Sequence, residues 1–135
     1  MLAKLIPTRV HALMDYTVGV LLIAAPWIFS FADESSAAKW ISIIVGILVI
    51  ATSAMTNYEG GFLGHAVSMR MHLMADALVG IFLIVSPWLF GFADQGANAW
   101  LPFVLIGIGE LGAAALTNPM PGERSQRARE ARRTV

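Results

Sequence analysis

Four long apolar stretches dominate the pattern of hydrophobic and polar residues along the chain. Each is close to the roughly 20 residues that an α-helix needs to cross about 30 Å of hydrocarbon. Because backbone polar groups in lipid must be hydrogen-bonded internally, and no strand-like alternation is present, stretches of this length predict helices. The pattern therefore predicts an all-α integral membrane protein with four transmembrane helices, at Val10–Phe31, Trp40–Thr56, Met71–Phe92 and Trp100–Thr117.

Composition excludes several classes of protein. Apolar residues make up 57% of the chain and charged residues 13%, whereas soluble globular chains average roughly 45–50% and about 25%. So few polar groups do not cover the surface of an ordinary soluble domain. The chain has no cysteine, which excludes disulfides, thiolate metal sites and a cysteine nucleophile. Its formal net charge is zero, so we expect no nucleic-acid partner.

Basic residues are concentrated on one predicted side of the membrane. Four spans place both termini and the loop Asn57–Arg70 on the same side, and that side carries every basic residue except Lys39. The positive-inside rule therefore predicts that both termini are cytoplasmic. We expect a multi-pass protein of the bacterial cytoplasmic (inner) membrane, with the lipid bilayer as its surroundings and a basic tail attracted to anionic lipids.

The chain contains an internal repeat with an offset of 61 residues. Aligning His11–Asp33 with His72–Asp94 gives 12 identities in 23 positions, and Thr56-Asn57 matches Thr117-Asn118. Each unit is predicted to be a two-helix hairpin, and two spans return the chain to its starting side, so the hairpins are predicted to be parallel repeats. The predicted organisation is an N-terminal cytoplasmic segment (1–9), a first two-helix repeat (10–57), a cytoplasmic loop (58–70), a second two-helix repeat (71–118) and a basic cytoplasmic tail (119–135).

Both copies share a His–Asp prelude, a glycine and a Pro-Trp pair, and the second copy carries an intact Ser-Pro-Trp. The residues are His11, Asp15, Gly19, Pro26 and Trp27 in the first copy, and His72, Asp76, Gly80, Ser86, Pro87 and Trp88 in the second. On these residues the chain resembles the SPW-repeat family of small bacterial membrane proteins, although Ala25 replaces the serine in the first copy. The resemblance spans about residues 5–118 and implies two-helix membrane units without implying an activity.

The Pro-Trp pairs lie near the outer ends of the first and third predicted helices. A proline there bends or ends the helix, and a tryptophan anchors it at the headgroups. The alternative function for this end is an aromatic-lined opening for a lipid or quinone-like molecule.

Each His–Asp pair has a spacing of four residues, so its two members lie on one helix face. The repeat places His11–Asp15 and His72–Asp76 at the same depth, near the predicted cytoplasmic ends. As a site, they form a proton relay or present two imidazoles to a metal or haem iron, with His65 as a spare ligand. As structure, each pair is an intrahelical contact that balances charge at a helix start. The sequence leaves open whether the two pairs converge.

Glu110 is the other candidate polar residue within a span. It lies in the middle of the fourth predicted helix, and its counterpart in the first repeat is Val49. A carboxylate at that depth is expensive unless it is protonated or partnered. Glu110 therefore either binds a proton or cation, or hydrogen-bonds across a helix or subunit interface, where the nearby glycines permit close packing.

Three functions are compatible with these features. The first is a non-enzymatic structural or accessory protein that packs with copies of itself or with a larger membrane complex, since no catalytic constellation is evident and no cofactor is required. The second is a redox or metal-binding protein that holds haem or a metal ion on His11 and His72. The third is a proton- or cation-conducting unit that uses Asp15, Asp76 and Glu110.

Overall fold

The computed structural model describes residues 5–119 and 130–134. Four helices account for most of these residues, and two isolated backbone bridges are present without a strand ladder. The helices are 19–21 residues long with mean hydropathies of 1.4–1.9, long and apolar enough to cross a membrane. The predicted all-α membrane fold is therefore confirmed. Its elements are α1 (Thr8–Ile28), α2 (Ser36–Ala54), α3 (Met69–Leu89), a 3₁₀ turn (Ala93–Gln95) and α4 (Ala97–Leu116).

The predicted spans are displaced from the helices at both ends. Each helix begins two to four residues earlier and ends one to three residues earlier than its predicted span. The apolar run marks the part of a helix that contacts hydrocarbon, whereas in α2 and α3 a serine cap marks where the helix begins. The Ser35 side chain accepts a hydrogen bond from the backbone N–H of Ala38, and the Ser68 side chain accepts one from Met71.

Prolines lie in the last turns of α1 and α3. The two helices end two residues after Pro26 and Pro87, which agrees with the prediction of a bend or an end. The chain then passes through the left-handed region at corresponding positions, Ser30 (φ 59°) and Gly91 (φ 73°). The backbone N–H of the following phenylalanine donates to the proline carbonyl at 2.9 Å after α1 and at 2.8 Å after α3, as in a Schellman-type helix end.

Glycine pairs bring the two helices of each hairpin into close contact. A Cβ atom on Gly46 would lie 2.7 Å from the carbonyl oxygen of Gly19, and one on Gly107 would lie 2.6 Å from that of Gly80. Both distances are shorter than the van der Waals separation of a carbon and an oxygen atom, so a larger residue would force the helices apart. The α1–α2 and α3–α4 pairs are therefore the tightly packed units of the bundle, as expected for small residues between membrane helices.

The two ends of the bundle differ in chemistry. Where α1 and α3 end, Phe31, Phe92 and Phe103 are 0–1% exposed and pack together in the core. Three tryptophans at this end, Trp27, Trp40 and Trp88, are 54–62% exposed, as expected for headgroup anchors. Where α1 and α3 begin, the interior is polar.

The described basic residues on and beside the four helices follow the predicted asymmetry. Arg9 and Arg70 are exposed at the polar end, whereas Lys39 lies at the aromatic end, 5.9 Å and 5.4 Å from the ring centroids of Trp27 and Trp40. The predicted tail (119–135) lies outside the described residues, apart from 119 and 130–134, and the predicted N-terminal segment is described from residue 5. The assignment of the polar end to the cytoplasm stays a prediction.

Candidate functional site

The first two turns of α1 and α3 carry both His–Asp pairs into the interior of the polar end. His11, Asp15, His72 and Asp76 are 0–4% exposed. One ligand atom of each residue lies within 4.8 Å of those of the other three. The two pairs therefore converge, which the sequence left open, and they form one buried group that we call the His–Asp cluster.

The cluster is held by contacts between the two hairpins as well as within each helix. The Nε2 atom of His11 is 2.8 Å from Asp76 Oδ2 and 3.1 Å from Asp15 Oδ1. The Nε2 atom of His72 is 3.0 Å from Asp15 Oδ2 and 3.1 Å from Asp76 Oδ2. The expected intrahelical contact is thus present in each pair, but it accounts for only half of the contacts, and the shorter half crosses between hairpins.

The two Nε2 atoms differ in hydrogen bonding. His11 Nε2 forms a hydrogen bond with Asp76 Oδ2. His72 Nε2 is close to two carboxylate oxygens, yet neither contact has hydrogen-bond geometry, and the atom is buried without a hydrogen-bond partner. His72 Nε2 therefore faces two carboxylates at ion-pair distance, and either a proton on the ring or a small cation between these groups would satisfy it.

The other ring nitrogen of each histidine contacts a buried threonine at the end of the opposite hairpin. His11 Nδ1 is 2.7 Å from Thr117 Oγ1, and His72 Nδ1 is 2.8 Å from Thr56 Oγ1. The two threonine hydroxyls donate to the backbone carbonyls four residues earlier, at 2.6 Å in both cases. Since each hydroxyl hydrogen is already used, each threonine oxygen accepts from the histidine, and Nδ1 carries the proton.

The two aspartates have different surroundings. Asp15 Oδ2 accepts hydrogen bonds from Ser53 Oγ at 3.1 Å and from Tyr58 Oη at 2.9 Å. The residue that corresponds to Ser53 in the second hairpin is Ala114, which has no hydroxyl to offer Asp76. Asp15 is therefore the more firmly positioned carboxylate, and Asp76 is the less constrained one.

The loop between α2 and α3 covers the cluster. Tyr58 is buried, and burial raises the pKa of its hydroxyl above the ordinary value, so the group stays a hydrogen-bond donor to Asp15. Tyr16 Oη donates to the carbonyl oxygen of Gly60 at 2.6 Å, and Thr8 Oγ1 donates to Glu59 at 2.6 Å. A Cβ atom on Gly61 would lie 1.8 Å from a backbone oxygen, so the loop path requires glycine there.

The remaining candidate residues occupy other positions. Glu110 is 4% exposed, its Oε2 atom has no hydrogen-bond partner, and it lies close enough to the cluster to interact with the charges of all four members. His65, the proposed spare ligand, is exposed on the loop and does not join the cluster. The Pro-Trp motif lies at the opposite end of the bundle, away from the cluster.

Sequence analysis did not identify four hydroxyl groups that surround the cluster. A signal existed for two of them, because Thr56 and Thr117 occupy matching positions just after the second helix of each repeat. Ser53 and Tyr58 have no matching residue in the second repeat, so no comparable signal was available for them.

The cluster combines donors that are suited to a small cation. Two imidazole nitrogens and two carboxylates face a common centre, and the outer hydrogen bonds fix the orientation of the rings. Imidazole and carboxylate are ligands for zinc and for other first-row transition metals. The same four groups, with protons on Nε2, form a charge-balanced network of two cations and two anions.

Comparison with known proteins agrees with the resemblance found in the sequence. The family model described as the SPW repeat domain matches residues 9–117, which include both His–Asp pairs and Thr117. No curated protein and no solved structure matches the chain.

Proposed function

The chain belongs to the SPW repeat domain family, and from the geometry of its buried cluster we propose that it is a small membrane protein that binds one divalent transition-metal ion. Its ligands are the Nε2 atoms of His11 and His72 and carboxylate oxygens of Asp15 and Asp76. The observation that carries the proposal is the direction of the histidines: both Nδ1–H groups are engaged outside the cluster, so both Nε2 atoms point to the same interior space.

The spacing of the ligand atoms supports a four-coordinate ion. Ligand bonds of roughly 2.0–2.1 Å in a tetrahedral site separate neighbouring ligand atoms by about 3.3 Å. The contacts from the two Nε2 atoms to carboxylate oxygens are 2.8–3.1 Å. These four nitrogen–oxygen separations are therefore within a few tenths of an ångström of the spacing that such a site requires.

Charge balance also supports a divalent ion. Neutral imidazoles at His11 and His72, ionised carboxylates at Asp15 and Asp76, and one divalent cation sum to zero. A neutral site avoids most of the cost of placing net charge in a membrane interior. A monovalent ion would leave one carboxylate charge uncompensated in the same interior.

A bare ion fits the geometry better than haem, which the sequence also allowed. The two imidazole ring centroids are 5.4 Å apart, and carboxylate oxygens lie within 3.1 Å of both Nε2 atoms. A macrocycle between the two histidines would need the space that the aspartates occupy.

Metal content of purified protein tests the proposal. The full chain is purified in mild detergent, incubated with Zn²⁺ or Co²⁺, freed of excess ion and analysed by elemental mass spectrometry. We expect about one ion per chain, loss of that ion in His11→Ala and His72→Ala, and retention in His65→Ala, which removes an exposed histidine. Absence of bound ion in the unmodified chain, or equal loss in His65→Ala, contradicts the proposal.

A second candidate function is proton or cation conduction, and the unpartnered Oε2 atom of Glu110 favours it. Glu110 lies about two helical turns deeper in α4 than Thr117, on the same helix face, and so extends the polar interior toward the middle of the bundle. Flux into liposomes that contain the purified chain tests this function. Conduction requires a flux that Glu110→Gln abolishes, and a flux that the variant leaves unchanged removes Glu110 from the path.

The proposal includes the cellular setting that the sequence favours. The protein resides in a bacterial inner membrane with both termini in the cytoplasm, is not an enzyme, and packs with copies of itself or with a larger membrane complex. Extraction in mild detergent tests the last point, because a discrete homo-oligomer or a specific co-purifying protein is expected. A solitary monomer would contradict it.

A further inference from the structure

The histidines of the cluster depend on residues that belong to the opposite hairpin. Thr117 follows α4 and contacts His11 of α1, whereas Thr56 follows α2 and contacts His72 of α3. The two threonines are 61 residues apart in sequence, as are the two histidines. The arrangement is therefore an exchange, in which each hairpin supplies the outer hydrogen-bond partner of the other hairpin's histidine.

Backbone contacts fix the position of each threonine. The backbone N–H of Ile6 donates to Leu116 and that of Asn118 donates to Ile6, both at 3.0 Å, on either side of Thr117. Around Thr56, the N–H of Asn57 donates to Val67 at 2.8 Å and that of Val67 donates to Met55 at 3.1 Å. The segment that leads into each histidine-bearing helix is thus paired with the segment that holds the threonine.

The position of each hydroxyl hydrogen determines whether the threonine donates to histidine or accepts from it. The two hydroxyls lie 2.6 Å from the carbonyl oxygens of Ala113 and Thr52, too close for two oxygens without a hydrogen between them. Each threonine oxygen is consequently an acceptor toward histidine. A ring that rotated or changed tautomer would lose this hydrogen bond and leave a buried polar atom unsatisfied.

We infer that Thr56 and Thr117 are positioning residues that hold His72 and His11 in the Nδ1–H tautomer and so make Nε2 the metal ligand. The inference rests on the proposed function. Both threonines are fully buried and neither lies within the cluster, so their effect on an ion passes through the histidine ring. Groups that orient metal-bound histidines in this way typically contribute about 10–100-fold to metal affinity.

The test compares metal affinity in matched threonine variants of the full chain in detergent. Thr56→Val and Thr117→Val remove the hydroxyl and preserve the shape of the side chain. Thr56→Ser and Thr117→Ser retain the hydroxyl and remove only the methyl group. Thr17→Val is the control, because the exposed Thr17 hydroxyl also donates to the carbonyl four residues earlier but contacts no histidine. Affinity is measured by Co²⁺ absorption and by competition with Zn²⁺.

We expect each valine variant at 56 or 117 to bind Co²⁺ about 10–100-fold more weakly, each serine variant to bind within about threefold of the unmodified chain, and Thr17→Val to bind normally. Unchanged affinity in the valine variants overturns the inference alone. Failure of the unmodified chain to bind Co²⁺ or Zn²⁺ overturns the proposed function as well.

A measurement without substitutions guards against variants that fail to fold. Imidazole ¹⁵N spectra of the metal-loaded unmodified chain distinguish a ring bound through Nε2 from one bound through Nδ1. We expect Nε2 ligation with a slowly exchanging Nδ1 proton at both buried histidines. Ligation through Nδ1 at either of them overturns the inference.

Discussion

Glu110 places a buried carboxyl group in the second hairpin where the first hairpin has an apolar side chain. Its counterpart Val49 is buried in the apolar core, so the fold accommodates an apolar side chain at the equivalent place. Glu110 is buried to the same extent but has an oxygen without a hydrogen-bond partner. A buried carboxyl group with an unsatisfied oxygen, at a place where the other hairpin has an apolar side chain, costs stability and is therefore a candidate functional group.

Replacing Glu110 with valine, the residue of the first hairpin, is therefore expected to stabilise the bundle. Removing a buried unsatisfied polar atom should raise the free energy of unfolding by about 1–3 kcal/mol. Unfolding in detergent, followed by circular dichroism, measures the change. The reciprocal Val49→Glu variant should lose stability, and a loss of stability in Glu110→Val would show that the carboxyl group has a strong partner.

The two tyrosine hydroxyls near the covering loop contact acceptors of different charge. Tyr58→Phe removes a hydrogen bond to the Asp15 carboxylate, and Tyr16→Phe removes one to the backbone oxygen of Gly60. Because hydrogen bonds to charged groups contribute more, we expect a loss of about 1.5–3 kcal/mol for Tyr58→Phe and about 0.5–1.5 kcal/mol for Tyr16→Phe. Denaturation in detergent at neutral pH measures both losses. Equal losses would show that Asp15 does not accept this bond as a carboxylate.

At the scale of elements, glycine and proline determine how the helices pack. Pro26 lacks an N–H, so the carbonyl of Leu22 has no donor within α1. The Ser42 hydroxyl of α2 donates to that carbonyl and satisfies it from the neighbouring helix. The close approach of α1 and α2 at their glycine pair permits this contact between the two helices.

Substitutions at two glycines of α4 distinguish contacts within the chain from contacts with another chain. Gly107→Ala places a Cβ atom 2.6 Å from the carbonyl oxygen of Gly80 and should destabilise the α3–α4 pair by more than 1 kcal/mol. Gly109→Ala meets nothing within 4 Å and should be neutral or stabilising by up to about 1 kcal/mol. Unfolding in detergent compares the two variants. A destabilised Gly109→Ala would contradict this assignment of faces and would indicate a contact with another chain.

The elements were more predictable from sequence than the cluster they form. The position and length of each helix follow from local apolar content, so the four helices could be predicted from the sequence. The errors lie at the helix ends, where caps such as Ser35 and Ser68 begin a helix before the apolar run. The four-residue spacing of His11 and Asp15 is compatible both with a contact confined to one helix and with a site formed by two helices. Only the packing of the hairpins, which depends on residues far apart in sequence, distinguishes the two arrangements.

At the scale of the whole molecule, polar contacts join the hairpins at both ends. The His–Asp cluster and its threonines connect them at one end. At the other end, the Asn98 side chain donates to the carbonyl oxygen of Phe29 at 3.1 Å and to Glu34 at 2.9 Å. The cluster therefore lies at the better-connected end of the junction, beneath a loop that limits access from the aqueous phase.

The side of the membrane that the cluster faces decides which compartment would supply the ion that we propose it binds. The positive-inside rule predicts that the cluster lies at the cytoplasmic end, because Arg9 and Arg70 lie at that end of the bundle and Lys39 lies at the other. The chain has no cysteine, so single-cysteine variants report topology without background. His65 on the covering loop and Gln95 at the aromatic end are both exposed. With a membrane-impermeant maleimide, we expect Gln95→Cys to react in intact cells and His65→Cys to react only after permeabilisation. The opposite pattern would place the loop and the cluster beneath it on the external side, and the proposed ion would then come from outside the cytoplasm.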